Sequence, residues 1–571
     1  MTTESPFALD QYACVSCPVK TQNWLKTYAV DAQPIDSHLV ETFREVSSHR
    51  ANVAATLITR HGKNVRDLSS ITEIDEQVTA CVEAMTQGVP IILNAQLPVD
   101  WENHRCGIAD VLLRADDSDN PKYYPGIIKD SNVLSTSVQG HSHQLLSTLV
   151  KPFLHDAENQ KYQFRFESHS SDLLQLAHLW FLLRSAGFAA EDPWGAIIGT
   201  DFEDVNRCCF VSWMNLQDKL VRAFSYTSAH AWRKYTPLSR YQHEHRFRVR
   251  VGSRALQAEE AGLPLVASPV HVPECDMCEW WPECQAQLGD DVSVMIERSP
   301  LDAREIMTLR SFGILTITDL ASSDVDALLP QYLPKVAHRS GADTRLRLAA
   351  RRGRLIAAGI HLERLTTGAI ELPSAPVEID IDIETSSNNR VYLWGFLVDD
   401  RRLPDSEPVY YPIHRFASLT QARELELAEE AATWLMEKIQ DLGETEVLVW
   451  HYSNYEISTL RRFASFRRQA SPALSWLSKF TSTNFVDLLP VVKRNFFGVD
   501  GLGLKAVATE GAGFSWRDPE PSGLNSQFWF SDAIHADNAK QRQAITTRIL
   551  EYNEDDTRAT RALRQWLRSL D

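Results

Sequence analysis

Between Glu378 and Glu384 the chain reads EIDIDIE, acid and isoleucine in strict alternation. A period of two belongs to a β-strand, whose successive side chains point to opposite faces. Glu378, Asp380, Asp382 and Glu384 therefore share one face, and Ile379, Ile381 and Ile383 share the other. Asp and Glu are poor strand formers, and like charges two residues apart repel. The acids need a reason to be there, and residues further along supply one.

The surroundings of this strand predict an α/β fold with more than one domain. At 571 residues, the chain is expected to form roughly two to four domains. ELPSAPVE, at about 371–378, is a Pro-rich join. After it, strands are expected at 379–384, 391–399, 409–413 and 446–450, with helices at 419–441 and 454–466 and more to the end. This order implies a mixed sheet with helical cover over 373–571. Before it, 291–372 reads as a helical linker. Its segment starts at Ser299-Pro300, SFGILTITDLA is a helix, a tight turn at Gly313 and a second helix, and TRLRLAARRGRLIAAGIHLERL is helical and basic. Residues 1–290 mix helical and strand patterns and end in a cysteine cluster. No run of 18 apolar residues is present, so no membrane span is expected. MTTESPFALDQY lacks the basic start and apolar stretch of a signal peptide, and a cytoplasmic location is expected. A net charge of -17 argues against a DNA-coating role, but not against an enzyme whose carboxylates hold metal.

Further acids line up with the opening strand. VLVWHYSNYEISTLRRF is a buried strand that breaks at HYSN and starts a helix, with Glu456 in its first turn. STNFVDLLPVVKRNF places Asp487 where another apolar segment begins. ILEYNEDDTRATRALRQWL is a helix in which Tyr552 and Asp556, four apart, share a face, while Asp555 points elsewhere. Carboxylates from the strand and these helices can converge at one sheet edge and hold two divalent cations about 3.5–4 Å apart for phosphodiester hydrolysis. Hard oxygen ligands suit Mg²⁺ or Mn²⁺, and the Tyr552 hydroxyl would orient the attacking water. Taken singly, each acid also suits a solvated edge strand or a helix N-terminus. Glu378 and Asp380 are assigned there, as strand mouth and register neighbour.

DIET at 382–385, SNYE at 453–456 and YNEDD at 552–556 resemble the three motifs of DnaQ-like exonucleases of the RNase H-like superfamily, in the form with a tyrosine in the last motif. HYSNYE, FVDLLPVVKRNF, GLGLKAVA, FSWRDPEPSG and YNEDDTRAT resemble the RNase H-like domain found beside RecB-like nuclease domains in bacteria. The resemblance covers about 375–571. It implies that Asp382 and Glu384 form the first motif, Glu456 the second, and Tyr552 with Asp556 the third, with Asp487 an additional acid nearby. Glu456 stands where that family has Asp.

ACVSCPVK contributes Cys14 and Cys17, and ECDMCEWWPEC contributes Cys275, Cys278 and Cys284. Two CxxC pairs suit a Cys₄ zinc site, and an iron–sulfur cluster also takes four thiolates. The pattern resembles RecB-like nucleases of the AddB type, which carry a [4Fe–4S] cluster. That implies Cys17, Cys275, Cys278 and Cys284 as ligands, with Cys14 spare. Either metal would clasp the ends of the N-terminal domain. Cys81, Cys106, Cys208 and Cys209 read as packed thiols. RecB-like domains are PD-(D/E)xK nucleases with a restriction-endonuclease-like fold. In that resemblance CGIADVLLR supplies Asp110, YYPGIIKDS supplies Lys129, and DLLQLAHLW supplies Gln175. The acid expected two before Lys129 is Ile127, and the expected tyrosine is Leu179. Asp130 points to the other face and cannot replace the missing acid.

Two arginine runs could meet DNA. In SRYQHEHRFRVRVGSR, Arg246, Arg248 and Arg250 alternate as in a strand and would share a face toward phosphates. TRLRLAARRGRL adds more, and SFGILTITDL has the flavour of a helix–hairpin–helix module. The resulting expectation is a metal-dependent DNA exonuclease, 3′→5′ on single strands, with two-metal chemistry in the C-terminal domain and a place in DNA repair. Polarity, DNA preference and pathway come from the resemblance. The alternatives are cutting by the N-terminal domain, or a non-catalytic DNA-binding adaptor for a helicase partner. No GxxxxGK[ST] motif is present, so any unwinding would come from that partner.

Overall fold

The computed structural model describes residues 7–26, 37–136, 143–203, 208–225, 232–261, 264–296, 301–387, 389–403, 407–465, 471–536 and 538–571, without the side chains of 26, 37–48, 202–203, 259–261 and 276. Ser299-Pro300, Phe466 and the first six residues lie outside them. The chain divides into two compact units. One is Met1–Gly289 with Asp302–Thr308 and Leu329–Ala342, and the other is Asp290–Leu301, Leu309–Leu328 and Asp343–Asp571. It is a mixed α/β, multi-domain protein. Among the described residues, no helix is long and apolar enough to cross a membrane.

The first unit is built on an eight-stranded sheet. Its strands are β1 (Val65–Asp67), β2 (Ile91–Asp100), β3 (Arg105–Arg114), β4 (Tyr123–Ile128), β5 (Gln144–Thr148), β6 (Glu158–Gln160), β7 (Trp194–Glu203) and β8 (Cys208–Asn215). They lie in the order β1-β2-β3-β4-β7-β8-β5-β6. Helices α1 (Pro18–Lys26), α2 (Ser37–His61), α3 (Phe166–Ser185) and α4 (Pro237–Ala261) belong to the same unit. Helix α3 is buried on every side from Asp172 to Trp180, as expected of a helix inside a core, and Leu173, Leu176, Leu179 and Leu183 are fully buried.

Helix α4 corrects the strand expected at Arg246, Arg248 and Arg250. The run is one helix of 25 residues. It starts at Pro237, and the Thr236 hydroxyl accepts from Ser239 N at 3.1 Å. A capping Thr followed by Pro at the first helical position is a strong helix start. At 100° per residue Arg246 and Arg250, four apart, share an exposed face, and Arg248 points to the opposite side. Arg248 is buried and donates to the carbonyls of Ala13 (2.8 Å) and Ser16 (2.6 Å). The strand-borne face of three arginines does not form, and Arg248 is not part of any exposed surface.

Helix α5 (Ala303–Ser311) ends before Gly313, whose φ of 82° turns the chain, and α6 (Ile317–Ser322) follows behind a Thr316 capping box. The basic helix α7 (Ala342–Ala357) is shorter than expected. Gly359 takes φ 69°, and Leu362–Arg364 instead pairs as a strand with Phe496–Gly498.

The second unit's main sheet has five strands. They are β9 (Val377–Thr385), β10 (Val391–Asp400), β11 (Val409–His414), β12 (Val447–His451) and β13 (Phe485–Asp487), in the order β11-β10-β9-β12-β13. The acidic strand β9 is the centre of the sheet, antiparallel to β10 and parallel to β12. Its isoleucines pack under helix α8 (Gln421–Leu442), against Leu427, Ala428, Ala431 and Leu435. Helix α9 (Tyr455–Ser465) follows β12, α10 (Leu488–Asn495) follows β13, and α11 (Leu504–Glu510), α12 (Gly523–His535) and α13 (Ala539–Ser569) complete the unit.

The 31-residue helix α13 covers the acidic face. Asn553, Asp556, Thr560, Arg564 and Leu567 are buried, spaced three and four apart, and form its inner stripe. This overturns the assignment of Glu378 and Asp380 to solvent. Both are buried, and Arg564, itself fully buried, bridges Asp380 and Glu378 (3.0 Å). Arg568 adds a second partner for Glu378 at 2.6 Å. A buried charge needs a partner, and here the helix supplies it.

Candidate metal centre and the other predicted sites

The acidic face of β9 divides into two halves. Its first half, Glu378 and Asp380, is neutralised by arginine. The second, Asp382 and Glu384, meets the middle of α13. Oxygens of Asp382, Glu384 and Asp556 all lie within 4.8 Å of one another. Each carboxylate is held by a protein donor. Asn553 Nδ2 donates to Asp382 Oδ2 at 2.7 Å, and Ser526 Oγ donates to Glu384 Oε2 at 2.6 Å. Trp516 Nε1 (2.7 Å) and Lys505 Nζ (3.0 Å) donate to Asp556 Oδ1. The Tyr410 hydroxyl donates to Asn553 Oδ1 at 2.7 Å and fixes that amide. Gly395 lies opposite Asp382 in the β9–β10 register, and a Cβ there would collide with Asn553 Oδ1. The glycine makes room for the amide.

The electrostatics are those of a site short of positive charge. Burial, then the charges of Asp556, Glu384 and Glu456, hold the Asp382 carboxyl well above its usual range. Burial and the charge of Asp556 push Glu384 up to about 7. Burial also raises Glu456, against the pull of His451. Glu456 is 5% exposed, and its Oε2 has no hydrogen-bond partner among the described residues. It lies 3.6 Å from His451 Nδ1. The Ser453 carbonyl, 2.6 Å from that nitrogen, can only accept, so Nδ1 carries the hydrogen. Clustered buried carboxylates and an orphaned carboxylate oxygen fit a hard divalent cation.

The remaining expected residues fall around this cluster. The buried Tyr552 hydroxyl accepts from Lys505 at 2.8 Å, and its ring meets Trp529 edge-on. Asp487 caps α10, accepting from Leu489 N and Ser453 N, both at 2.9 Å. It thereby pins the HYSN turn, in which Ser453 takes φ 93°, and its charge reaches Glu456. Asp555 points away and pairs with Arg517 at 2.8 Å. Asn553, Lys505, Ser526 and Trp516 were not foreseen. Asn553 had a signal: on a helix it shares a face with Asp556, three residues on.

In the first unit, Lys129 Nζ meets Gln175 Oε1 at 3.1 Å and Asp172 Oδ1 at 2.8 Å. Asp172 is also 2.8 Å from His169 Nδ1. Asp110 sits on β3, accepts from Ile128 N at 2.7 Å and pairs with Arg50 at 2.5 Å. Ile127 is part of the apolar core. Lys129 and Asp110 thus each have an opposite charge from a helix, and Asp172 was not foreseen from the motif.

Cys17, Cys275, Cys278 and Cys284 line one cleft, with Lys20 and Trp280. Burial raises the thiols of Cys275 and Cys278 and lifts Cys284 to about 11. Cys14 is turned away, 3.9 Å from His245 Nδ1, and buried.

A sequence model of the family described as the RNase_H superfamily matches residues 380–568. No curated protein matches the chain. The C-terminal unit therefore carries an RNase H-like domain, and the carboxylate cluster lies within the matched residues. A domain of this kind with such a cluster is the equipment of a metal-dependent nuclease.

Proposed function

We propose that the chain is a metal-dependent DNA exonuclease that removes nucleotides from 3′ ends of single strands, in the service of DNA repair. The observation that carries this reading is the convergence of Asp382, Glu384 and Asp556 inside the RNase H-like domain. Divalent cations bound there, by these residues and Glu456, would polarise the scissile phosphate and acidify the attacking water. The protein's own part is orientation. Asn553 and Ser526 fix the outer oxygens of Asp382 and Glu384, so their carboxylates need not reorganise when substrate arrives. Tyr552 presents its hydroxyl beside Asp556 and orients the water. Polarity, the preference for DNA and the repair setting rest on the motif resemblance.

The first unit is read as a RecB-like platform that no longer cuts. Ile127 replaces the second acid, and Arg50 and Asp172 occupy Asp110 and Lys129. Its four convergent thiols suit a [4Fe–4S] cluster, with zinc the alternative.

The test is hydrolysis of 3′- and 5′-labelled single-stranded DNA with Mn²⁺ or Mg²⁺. Asp382→Ala and Glu384→Ala should each cost about a thousandfold or more in rate. Asp110→Ala and Lys129→Ala should leave the rate within about twofold. Undiminished cutting by the C-terminal variants would overturn the assignment.

A further inference from the structure

Lys505 is the one cation that a hydrogen bond joins, among the described residues, to both members of the last motif. Its Nζ donates to the Tyr552 hydroxyl oxygen at 2.8 Å and to Asp556 at 3.0 Å and 3.4 Å. Its ammonium also lies 4.8 Å from the Tyr552 ring centroid and 5.3 Å from that of Trp516. Its charge acts on Asp382 and Glu384 as well. The arrangement has two consequences. The Tyr552 oxygen is engaged as an acceptor, which leaves its single O–H to be donated. A unit positive charge also stands beside three carboxylates that are otherwise positioned for a divalent cation.

We infer that Lys505 is a positioning residue that ties Tyr552 to Asp556 and, as a fixed charge, weakens cation binding until a phosphate arrives to offset it. This rests on the metal-dependent nuclease reading. Two positive charges so close repel unless an anion lies between them, and a phosphodiester brings that anion. Cation and nucleic acid should then bind cooperatively, each raising the affinity of the other by the same factor. Glu384 and Asp556 would hold a cation loosely at rest and firmly only with substrate in place.

Mn²⁺ binding to the full-length chain without nucleic acid, followed by calorimetry, separates this role from a structural one. Lys505→Met should bind Mn²⁺ about tenfold tighter than wild type. It should cut single-stranded DNA at least about a hundredfold more slowly in kcat. Lys505→Arg should keep the wild-type Mn²⁺ affinity and recover part of kcat. If Lys505→Met does not fold, Lys505→Gln, which keeps a donor for Tyr552 without the charge, carries the same expectation for Mn²⁺. Unchanged or weaker Mn²⁺ binding in a folded, uncharged variant overturns the inference, and so does unchanged kcat. A wild-type chain that binds no Mn²⁺ even with single-stranded DNA present overturns the nuclease reading itself, and this inference with it. Binding that needs Asp382 but ignores Lys505 overturns the inference alone.

Discussion

Glu384 shows what one residue's surroundings impose. Burial and the charge of Asp556 lift its carboxyl to about 7, against the Ser526 hydrogen bond and the charge of Lys505. Asp382 and Glu456 are raised for the same first reason, burial. In the unfolded chain such groups titrate near 4. These three groups therefore hold more protons folded than unfolded between about pH 4 and 7, and their contribution to stability falls as pH rises through that range. Lowered acids such as Glu378 act in the opposite sense, but their effect is complete by about pH 5. Buried His178 and His245 act in the opposite sense in the N-terminal unit, so the transition to follow is that of the C-terminal unit: without divalent cations its melting temperature should drop by roughly 5–10 °C from pH 5 to pH 8. Mg²⁺ or Mn²⁺ should remove most of the drop, and Glu384→Gln should flatten it. Calorimetry in chelator and in metal checks this; equal slopes in both would refute it. The acids themselves were legible, because their spacing is local. Their donors were not. Asn553 reaches Asp382 across 171 residues and Ser526 reaches Glu384 across 142, and no local pattern encodes such contacts.

At the scale of elements, β9 and α13 explain each other. A strand with four acids on one face is stable at the centre of a sheet only because one helix brings arginine to the first two and a cation site to the last two. Arg564 is the test. It is fully buried between Asp380 and Glu378 and lies 5.1 Å from the Trp450 ring. Removing one partner of a buried pair leaves an uncompensated charge, so Arg564→Met should cost about 3–5 kcal/mol in urea unfolding. Replacing Arg564, Asp380 and Glu378 together by apolar residues should recover most of that loss. A cost for Arg564→Met below about 1 kcal/mol would show that the pairing does not support the strand. The alternation placed β9 within two residues at each end, 377–385 against an expected 379–384. What it could not say was that β9 is central, since centrality depends on which segments pair with it. The strand expected at the arginines of α4 failed for a related reason. Arg246, Arg248 and Arg250 satisfy a period of two over five residues, but the element is decided over 25. Thr236 and Pro237 carried the helix signal ten residues upstream.

At the scale of the molecule, the two units answer different demands. The C-terminal unit concentrates negative charge at one cluster. The N-terminal unit gathers thiols from both of its ends: Cys17 joins Cys275, Cys278 and Cys284 in one cleft, and Cys17 N donates to Glu274 across 257 residues. The resemblance to RecB-like nucleases of the AddB type made this meeting legible; the spacing alone offers two CxxC pairs, Cys14 with Cys17 and Cys275 with Cys278, and leaves Cys284 over. The ion pair on Asp110 was not legible, because Arg50 lies on a helix outside every motif that names the site; Asp172 opens DLLQLAHLW, but only the fold shows that it reaches Lys129. A metal bound by the four thiols would close a loop of about 260 residues, and by analogy with a cross-link that closure stabilises by on the order of 5 kcal/mol. Protein purified without oxygen should carry about four iron atoms per chain, or one zinc if that alternative holds. Cys275→Ser and Cys278→Ser should lose the metal and lower the N-terminal unit's melting transition. Cys14→Ser should keep the metal, because its side chain faces His245 rather than the cleft. DNA hydrolysis at a temperature where both units stay folded should survive Cys275→Ser, since no thiol belongs to the carboxylate cluster. Loss of cutting there, with the fold intact, would mean that the clasp holds the nucleic acid as well as the chain.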